Sequence, residues 1–196
     1  MSTVGIVLAA GDGSRLGGRA KALLPHRGRP LLHTVISALV EGGCDEIVVV
    51  LGAYADDVTA ACPPGITPVV NPDWRQGMST SLRCGVDAAA DHDTVALTVV
   101  DFPGITAELV STVLRAHERG TVTLPVFDGR PGHPVVFDHA DAVSAAREAV
   151  GDEGARSFLT RNKQRVRRLE CTSLADAGDI DTVDDLWRLG RPDRDD

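Results

Sequence analysis

The sequence predicts an α/β protein with a mainly parallel central sheet, helices on both faces and a small β-hairpin insertion. Three observations carry this. Short apolar, β-branched runs recur at 4–10, 46–51, 67–70, 94–100, 122–127, 133–137 and 166–171. Segments with helical spacing lie between several of them. The first run opens straight into a loop of small residues, as at strand-to-helix crossings. Strands that alternate with helices imply right-handed βαβ units and parallel pairing.

The first run, Val4 to Ala10, leads into Gly11-Asp12-Gly13-Ser14-Arg15-Leu16-Gly17-Gly18 and then Lys21. Small residues let backbone N–H groups close on an anion, and Arg15 and Lys21 add positive charge there. The string lacks the Gly-Lys-Ser/Thr of a Walker loop. It also misses the dinucleotide fingerprint, because Gly17 falls four residues after Gly13 instead of three. A polyphosphate cradle and a plain glycine-rich connector both fit the loop alone.

The next segment, 30–41, places Leu31, Val35, Ile36 and Leu39 on one stripe, with Pro30 suited to its first turn and Gly42-Gly43 ending it. After the run at 67–70 comes Asn71-Pro72-Asp73-Trp74, and a helix can begin near Gly77 or Met78. Ser79, Thr80 and Ser81 then fall in its first turn, where N–H groups and hydroxyls suit an anion or a base edge, or only cap the helix. The run 94–100 ends in Asp101-Phe102-Pro103. A carboxylate at the C-terminal end of a central strand faces the ligand crevice of an open α/β sheet, and suits Mg²⁺ if it lies opposite phosphates. It can also simply start a turn before proline.

Thr106 is a plausible N-cap for a helix over 106–119 carrying Leu109, Val110, Val113 and Leu114. Asp128 to Gly132 is a hairpin turn between two short strands. His133, at Gly132-His133-Pro134, is either a pocket-rim imidazole or a structural one. Residues 151–156 read as a polar loop into a helix, and the basic stretch 161–168 as a solvated strand face. Near the C-terminus Asp179, Asp181, Asp184 and Asp185 precede or open a helix capped by Asp181 or Thr182. Acids there favour the helix dipole, and one of them can also complete a metal site with Asp101.

Composition sets bounds. The chain has 196 residues, 43% hydrophobic and 24% charged, which predicts one domain over 1–190 and a polar tail at 191–196. A net charge of −8 argues against nucleic-acid binding. The cysteines Cys44, Cys62, Cys84 and Cys171 show no zinc spacing, so four free thiols and a cytoplasmic location are expected. Neither a signal peptide nor a membrane span is evident, so no membrane partner is expected.

Taken in order, these segments resemble the MobA-like nucleotidyltransferases, most closely the molybdenum cofactor cytidylyltransferase branch. The matching strings are Leu8-Ala9-Ala10-Gly11 with Ser14-Arg15-Leu16-Gly17 and Lys21-Ala22-Leu23-Leu24-Pro25; Asn71 to Trp74 with Gly77 to Leu82; Asp101-Phe102-Pro103; Gly132-His133-Pro134-Val135; Gly151 to Arg156; and Asp179 to Thr182 with Asp184 to Leu186. Leu16, Phe102 and the Arg19-Ala20 pair depart from the residues usual at those places.

The resemblance implies a Rossmann-like nucleotidyltransferase fold, Mg²⁺ dependence, CTP as donor and molybdenum-bearing molybdopterin as acceptor, with a molybdenum hydroxylase as possible partner. Leu8, Ala9, Ala10, Gly11, Gly13 and Ser14 are then expected to hold the nucleotide, together with Asn71, Ser79 and Ser81. Arg15 falls to the leaving pyrophosphate, Lys21 to the α-phosphate, Asp101 and Asp181 (or Asp179) to the metal, and His133 to the acceptor side. Two other roles stay open for such a chain: a flavin- or NAD(P)H-dependent oxidoreductase acting on a small pyridine compound, and a chaperone that holds the cofactor for a hydroxylase.

Overall fold

The computed structural model describes residues 2–176 and 178–190; the expected tail at 191–196 lies outside them. In chain order the strands and helices are β1 (Thr3–Ala9), β2 (Pro25–His26), β3 (Arg29–Pro30), α1 (Leu31–Glu41), β4 (Glu46–Leu51), α2 (Ala55–Ala61), β5 (Thr67–Val70), α3 (Met78–Ala88), β6 (Thr94–Val99), α4 (Ala107–Ala116), β7 (Val122–Phe127), β8 (Arg130–Pro131), β9 (Val135–Asp138), α5 (His139–Glu148), α6 (Arg156–Arg161) and β10 (Val166–Glu170). The main sheet runs β10-β7-β9-β6-β1-β4-β5, with β8 on the edge of β7. β1 pairs in parallel with β4 and β6, β5 with β4, and β10 with β7.

Alternation along the strands builds two cores. Val7, Ala9, Ile47, Val49 and Leu51 face α1, α2 and α4, and pack on Leu32, Val35, Val58, Leu109 and Val113. Val4, Ile6, Leu8, Val48 and Val50 face the other way, onto Leu82 and Val86 of α3, Ala142 and Ala145 of α5 and Phe158 of α6. Strands buried on both faces read as the continuous apolar runs seen in the sequence.

The helix ends follow local chemistry. Thr106 caps α4, its hydroxyl accepting from Leu109 N at 3.1 Å. That helix stops at Ala116, three residues short of the expected 119, because His117 turns extended. The His117 ring instead pairs with Thr123 at 3.2 Å and Asp138 at 3.4 Å, on the neighbouring strands.

The expected hairpin is present and does more than form an insertion. Its second strand, β9, enters the main sheet between β6 and β7, antiparallel to both. The pairing of β7 with β8 and with β9 differs in register by two residues. The slack falls at Gly132 to Pro134, which places His133 in an interruption of the ladder. A second hairpin, β2–β3, was not legible from sequence: two residues a side carry no periodic signal.

Parallel strands bring the loops after β1, β4, β5 and β6 to one edge of the sheet. The antiparallel β9 begins at that same edge. This edge holds the candidate site.

Candidate active site

The glycine loop is a wound cradle. Leu16 N and Gly18 N both donate to the Gly13 carbonyl, at 2.8 and 3.0 Å. Gly13 has φ +61°, and a Cβ on it would lie 1.9 Å from the Arg19 carbonyl oxygen. Only glycine fits there. The N–H groups of Gly11, Asp12 and Gly13 have no hydrogen-bond partner among the described residues. Three successive free donors at a strand end form a seat for an anion.

The far side of the loop is held by Tyr54, whose hydroxyl donates to the Gly18 carbonyl. Ala53 N donates to the Ala10 carbonyl at 3.0 Å. Tyr54 was missed by sequence reasoning, because nothing in a local string ties it to a loop 36 positions away.

Beside the cradle, Lys21 sits between two acids. Its ammonium donates to Asp101 Oδ2 at 2.6 Å and Asp181 Oδ1 at 3.0 Å. Arg15 NH1 lies 3.8 Å from the same Asp181 oxygen. The fold thus gathers Arg15, Lys21, Asp101 and Asp181, which span most of the sequence. Burial works against the Lys21 charge, but Asp101 and then Asp181 outweigh it and hold its pKa above 10.5.

A neighbouring acid feels this cluster. Desolvation, then the charges of Asp101 and Asp181, push the Asp179 carboxyl up to about 6.

The two acid segments are tied directly. Ile180 N donates to the Asp101 carbonyl at 2.9 Å. Thr182, not Asp181, caps the following turn: Thr182 N and Oγ1 both donate to Asp185 Oδ2 at 2.8 Å. Capping by Thr182 and Asp185 leaves the Asp181 carboxylate turned to the cluster.

Asp101 and Asp181, which meet on one ammonium, present carboxylate oxygens of the kind Mg²⁺ accepts. No group of three His, Cys, Asp or Glu side chains is disposed for a metal among the described residues. Mg²⁺ is usually held by one or two carboxylates plus substrate phosphates, so Asp101 and Asp181 fit that mode.

In the segment after β5, which its sequence left open as an anion or base seat or as plain capping, the first N–H groups of α3 have partners within the protein. Met78 N donates to Asp152 Oδ1 at 3.1 Å, Ser79 N to the Gly151 carbonyl at 2.8 Å, and Thr80 N to the Gly77 carbonyl at 3.1 Å. The first two donors of α3 are therefore spent on the loop at 151–152, which the sequence showed only as polar. Asn71 is 3% exposed, and its amide donates to Thr80 Oγ1 at 2.8 Å and Ser81 Oγ at 3.0 Å. Ser79 and Ser81 are buried as well.

His133 lies at the same edge, its ring 6.5 Å from that of Phe102. Burial lowers its pKa below 6.5 despite the nearby Asp101 charge, so the imidazole is neutral at pH 7. Its Nδ1 is buried without a partner among the described residues.

The cysteines are free, and burial pushes the Cys44 thiol up to about 12. No described helix is long and apolar enough to cross a membrane.

Comparison with known proteins gives the family and the fold. The sequence matches the MobA-like NTP transferase domain over residues 5–166. It is 37% identical to the nicotine blue oxidoreductase of Paenarthrobacter nicotinovorans, over 94% of this chain and 95% of that protein. It is 29% identical to the molybdenum cofactor cytidylyltransferase of Escherichia coli K12, over 92% of each. Among solved structures, Rv0371c of Mycobacterium tuberculosis H37Rv superposes with a TM-score of 0.82 at 27% identity, covering 96% of this chain and 97% of that one. The same protein's complex with manganese superposes at 0.78, with 25% identity and 96% and 98% coverage. The chain belongs to the MobA-like NTP transferase family and is a nucleotidyltransferase in family and fold.

Proposed function

We propose that the chain is a Mg²⁺-dependent cytidylyltransferase that moves CMP from CTP onto the phosphate of molybdenum-bearing molybdopterin and releases pyrophosphate. The observation that carries this reading is the Lys21 ammonium clamped between Asp101 and Asp181, beside a loop with three free N–H groups. Metal-assisted phosphoryl chemistry needs positioning and charge stabilisation more than a covalent nucleophile.

The N–H groups of Gly11 to Gly13 bind the triphosphate, with Leu8, Ala9, Ala10 and Ser14 shaping the cradle. Arg15 pairs with the leaving pyrophosphate. Lys21 exchanges its carboxylates for phosphate oxygens and stabilises the charge that grows at the α-phosphate. Asp101 and Asp181 would hold Mg²⁺, which when bound would neutralise phosphate charge. The acceptor phosphate is already ionised, so no general base is required. Asn71, Ser79 and Ser81 fix the wall against which base and ribose lie, and neutral His133 borders the acceptor. The Leu8-Ala9-Ala10-Gly11 form supports the cytidylyl choice.

A second reading has its own support. The 37% likeness to nicotine blue oxidoreductase, over nearly the whole of both chains, favours reduction of a pyridine-type compound by NAD(P)H or a flavin in the same crevice.

Calorimetric titration with CTP, GTP and NADH, each with Mg²⁺ and with EDTA, separates the two readings. We expect Mg²⁺-dependent CTP binding that Asp101→Ala abolishes, with turnover reduced by about 10³-fold or more in that variant. NADH binding without a CTP or GTP response would instead establish the oxidoreductase, and near wild-type turnover in Asp101→Ala would remove the metal assignment.

A further inference from the structure

A cavity of about 290 Å³ opens behind the acid cluster. Its wall includes His26 and Arg27 of the β2–β3 hairpin, Gly104 and Thr106 at the start of α4, and Asp176 and Arg188 from the C-terminal segment. No glycine-loop residue lines it, and neither do Lys21, Asp101 or Asp181.

The charges in this wall do not cancel. Arg188 NH1 lies 3.1 Å from each oxygen of Asp176, which neutralises that carboxylate. Arg27 has no such partner among the described residues. His26 donates from Nδ1 to the Leu189 carbonyl at 3.0 Å, with its pKa lowered by burial, so the ring is neutral. Among the lining residues the balance is one positive charge, with Asp179, next to Gly178 in the chain, also interacting with Arg188.

Two polar atoms of the same residues lack partners. His26 Nε2 and Arg188 Nε are buried with no hydrogen-bond partner among the described residues. Arg27 also holds an unfavourable backbone, at φ +49°, where Asn, Asp or Gly is at home.

We infer that this cavity is a second binding site, separate from the nucleotide crevice, which takes a small molecule through one oxyanion group, a carboxylate or a phosphate, held by Arg27 and Arg188. The inference does not depend on which reaction the crevice performs. Its consequence for the crevice is steric. Gly104 and Asp176 touch so closely that a Cβ on Gly104 would lie 2.0 Å from the Asp176 carbonyl oxygen, and these residues lead into Asp101 and Asp181. An occupant therefore lies against the two segments that carry Asp101 and Asp181.

The test uses Trp187, whose ring lies 4.6 Å from the Arg188 guanidinium. The chain has two tryptophans, so Trp74→Phe leaves Trp187 as sole reporter. That protein is titrated with inorganic phosphate in one arm and succinate in the other. A saturable change in Trp187 emission is expected in at least one arm, and the arm that responds names the oxyanion. Arg27→Asn, which suits the left-handed turn and should fold at least as well, is expected to weaken the response by about tenfold. Lys21→Met should leave it intact. Three results would overturn the site: no saturable change in either arm, a response that survives Arg27→Asn unchanged, or one that disappears in Lys21→Met, which would place the anion in the glycine loop.

Discussion

Lys21 shows how one residue can serve two states. In the structure its ammonium holds two carboxylates that would otherwise repel each other across the crevice. On the proposed reading, an incoming polyphosphate would offer it stronger partners, and the released acids would then match a divalent cation. A lysine suits this exchange better than arginine, because its point charge moves on a flexible stem without a fixed fork. Histidine chemistry gives a prediction at the same scale. Burial, opposed by the Leu189 carbonyl and aided by Arg27 and Arg29, lowers the His26 pKa below its usual 6.5. The unfolded chain thus binds a proton more readily than the folded one. Stability from this residue is present above pH 6.5 and is lost as pH falls through the lower folded value. Thermal unfolding of the wild type between pH 8 and pH 5 should therefore show a falling acid limb that His26→Gln flattens. Parallel curves for the two proteins would assign that limb to other groups.

At the scale of the element, the glycine loop is the part most sensitive to a single atom. Adding one methyl at Gly13 combines a left-handed backbone with a collision against the Arg19 carbonyl. Gly13→Ala should cost about 1–3 kcal/mol in chemical denaturation. It should also weaken nucleotide binding, since the carbonyl of this residue anchors the turn that directs the free N–H groups. Gly17→Ala is the matched comparison: its φ is also positive, but a Cβ there meets nothing within 4 Å. If both variants behave alike, backbone conformation alone accounts for the loss and the collision does not matter.

Across the whole molecule, the C-terminal segment is what closes the site. Leu16 of the glycine loop, Leu24, Leu31, Ile180 and Leu189 form a third, small core. It packs the loop that would hold phosphate onto the segment that carries Asp181. Ile180 is fully buried there, and its N–H bonds the Asp101 carbonyl. Ile180→Ala should cost about 2–4 kcal/mol by cavity formation. Because the same cluster supports both sides of the crevice, nucleotide affinity should fall with it when measured well below the melting temperature. A stability loss with unchanged affinity would show that the loop stands without this support.

The sequence by itself determined the layered α/β plan, because strands buried on both faces must read as apolar runs and their helices must be striped. It also marked Arg15, Lys21 and Asp101, since charge beside glycine or at a strand end is a local pattern. Only the tertiary structure decided the rest. Which of Asp179, Asp181, Asp184 and Asp185 faces Lys21 depends on Thr182 and Asp185 forming the cap, a choice that composition leaves open. Whether the first turn of α3 is free or filled depends on Asp152 and Gly151, some seventy residues onward. The support of the glycine loop by Tyr54, and the entry of β9 into the centre of the sheet, are likewise long-range pairings. Local propensity acts over a few residues, whereas these contacts arise from strand order and packing, which no short string encodes.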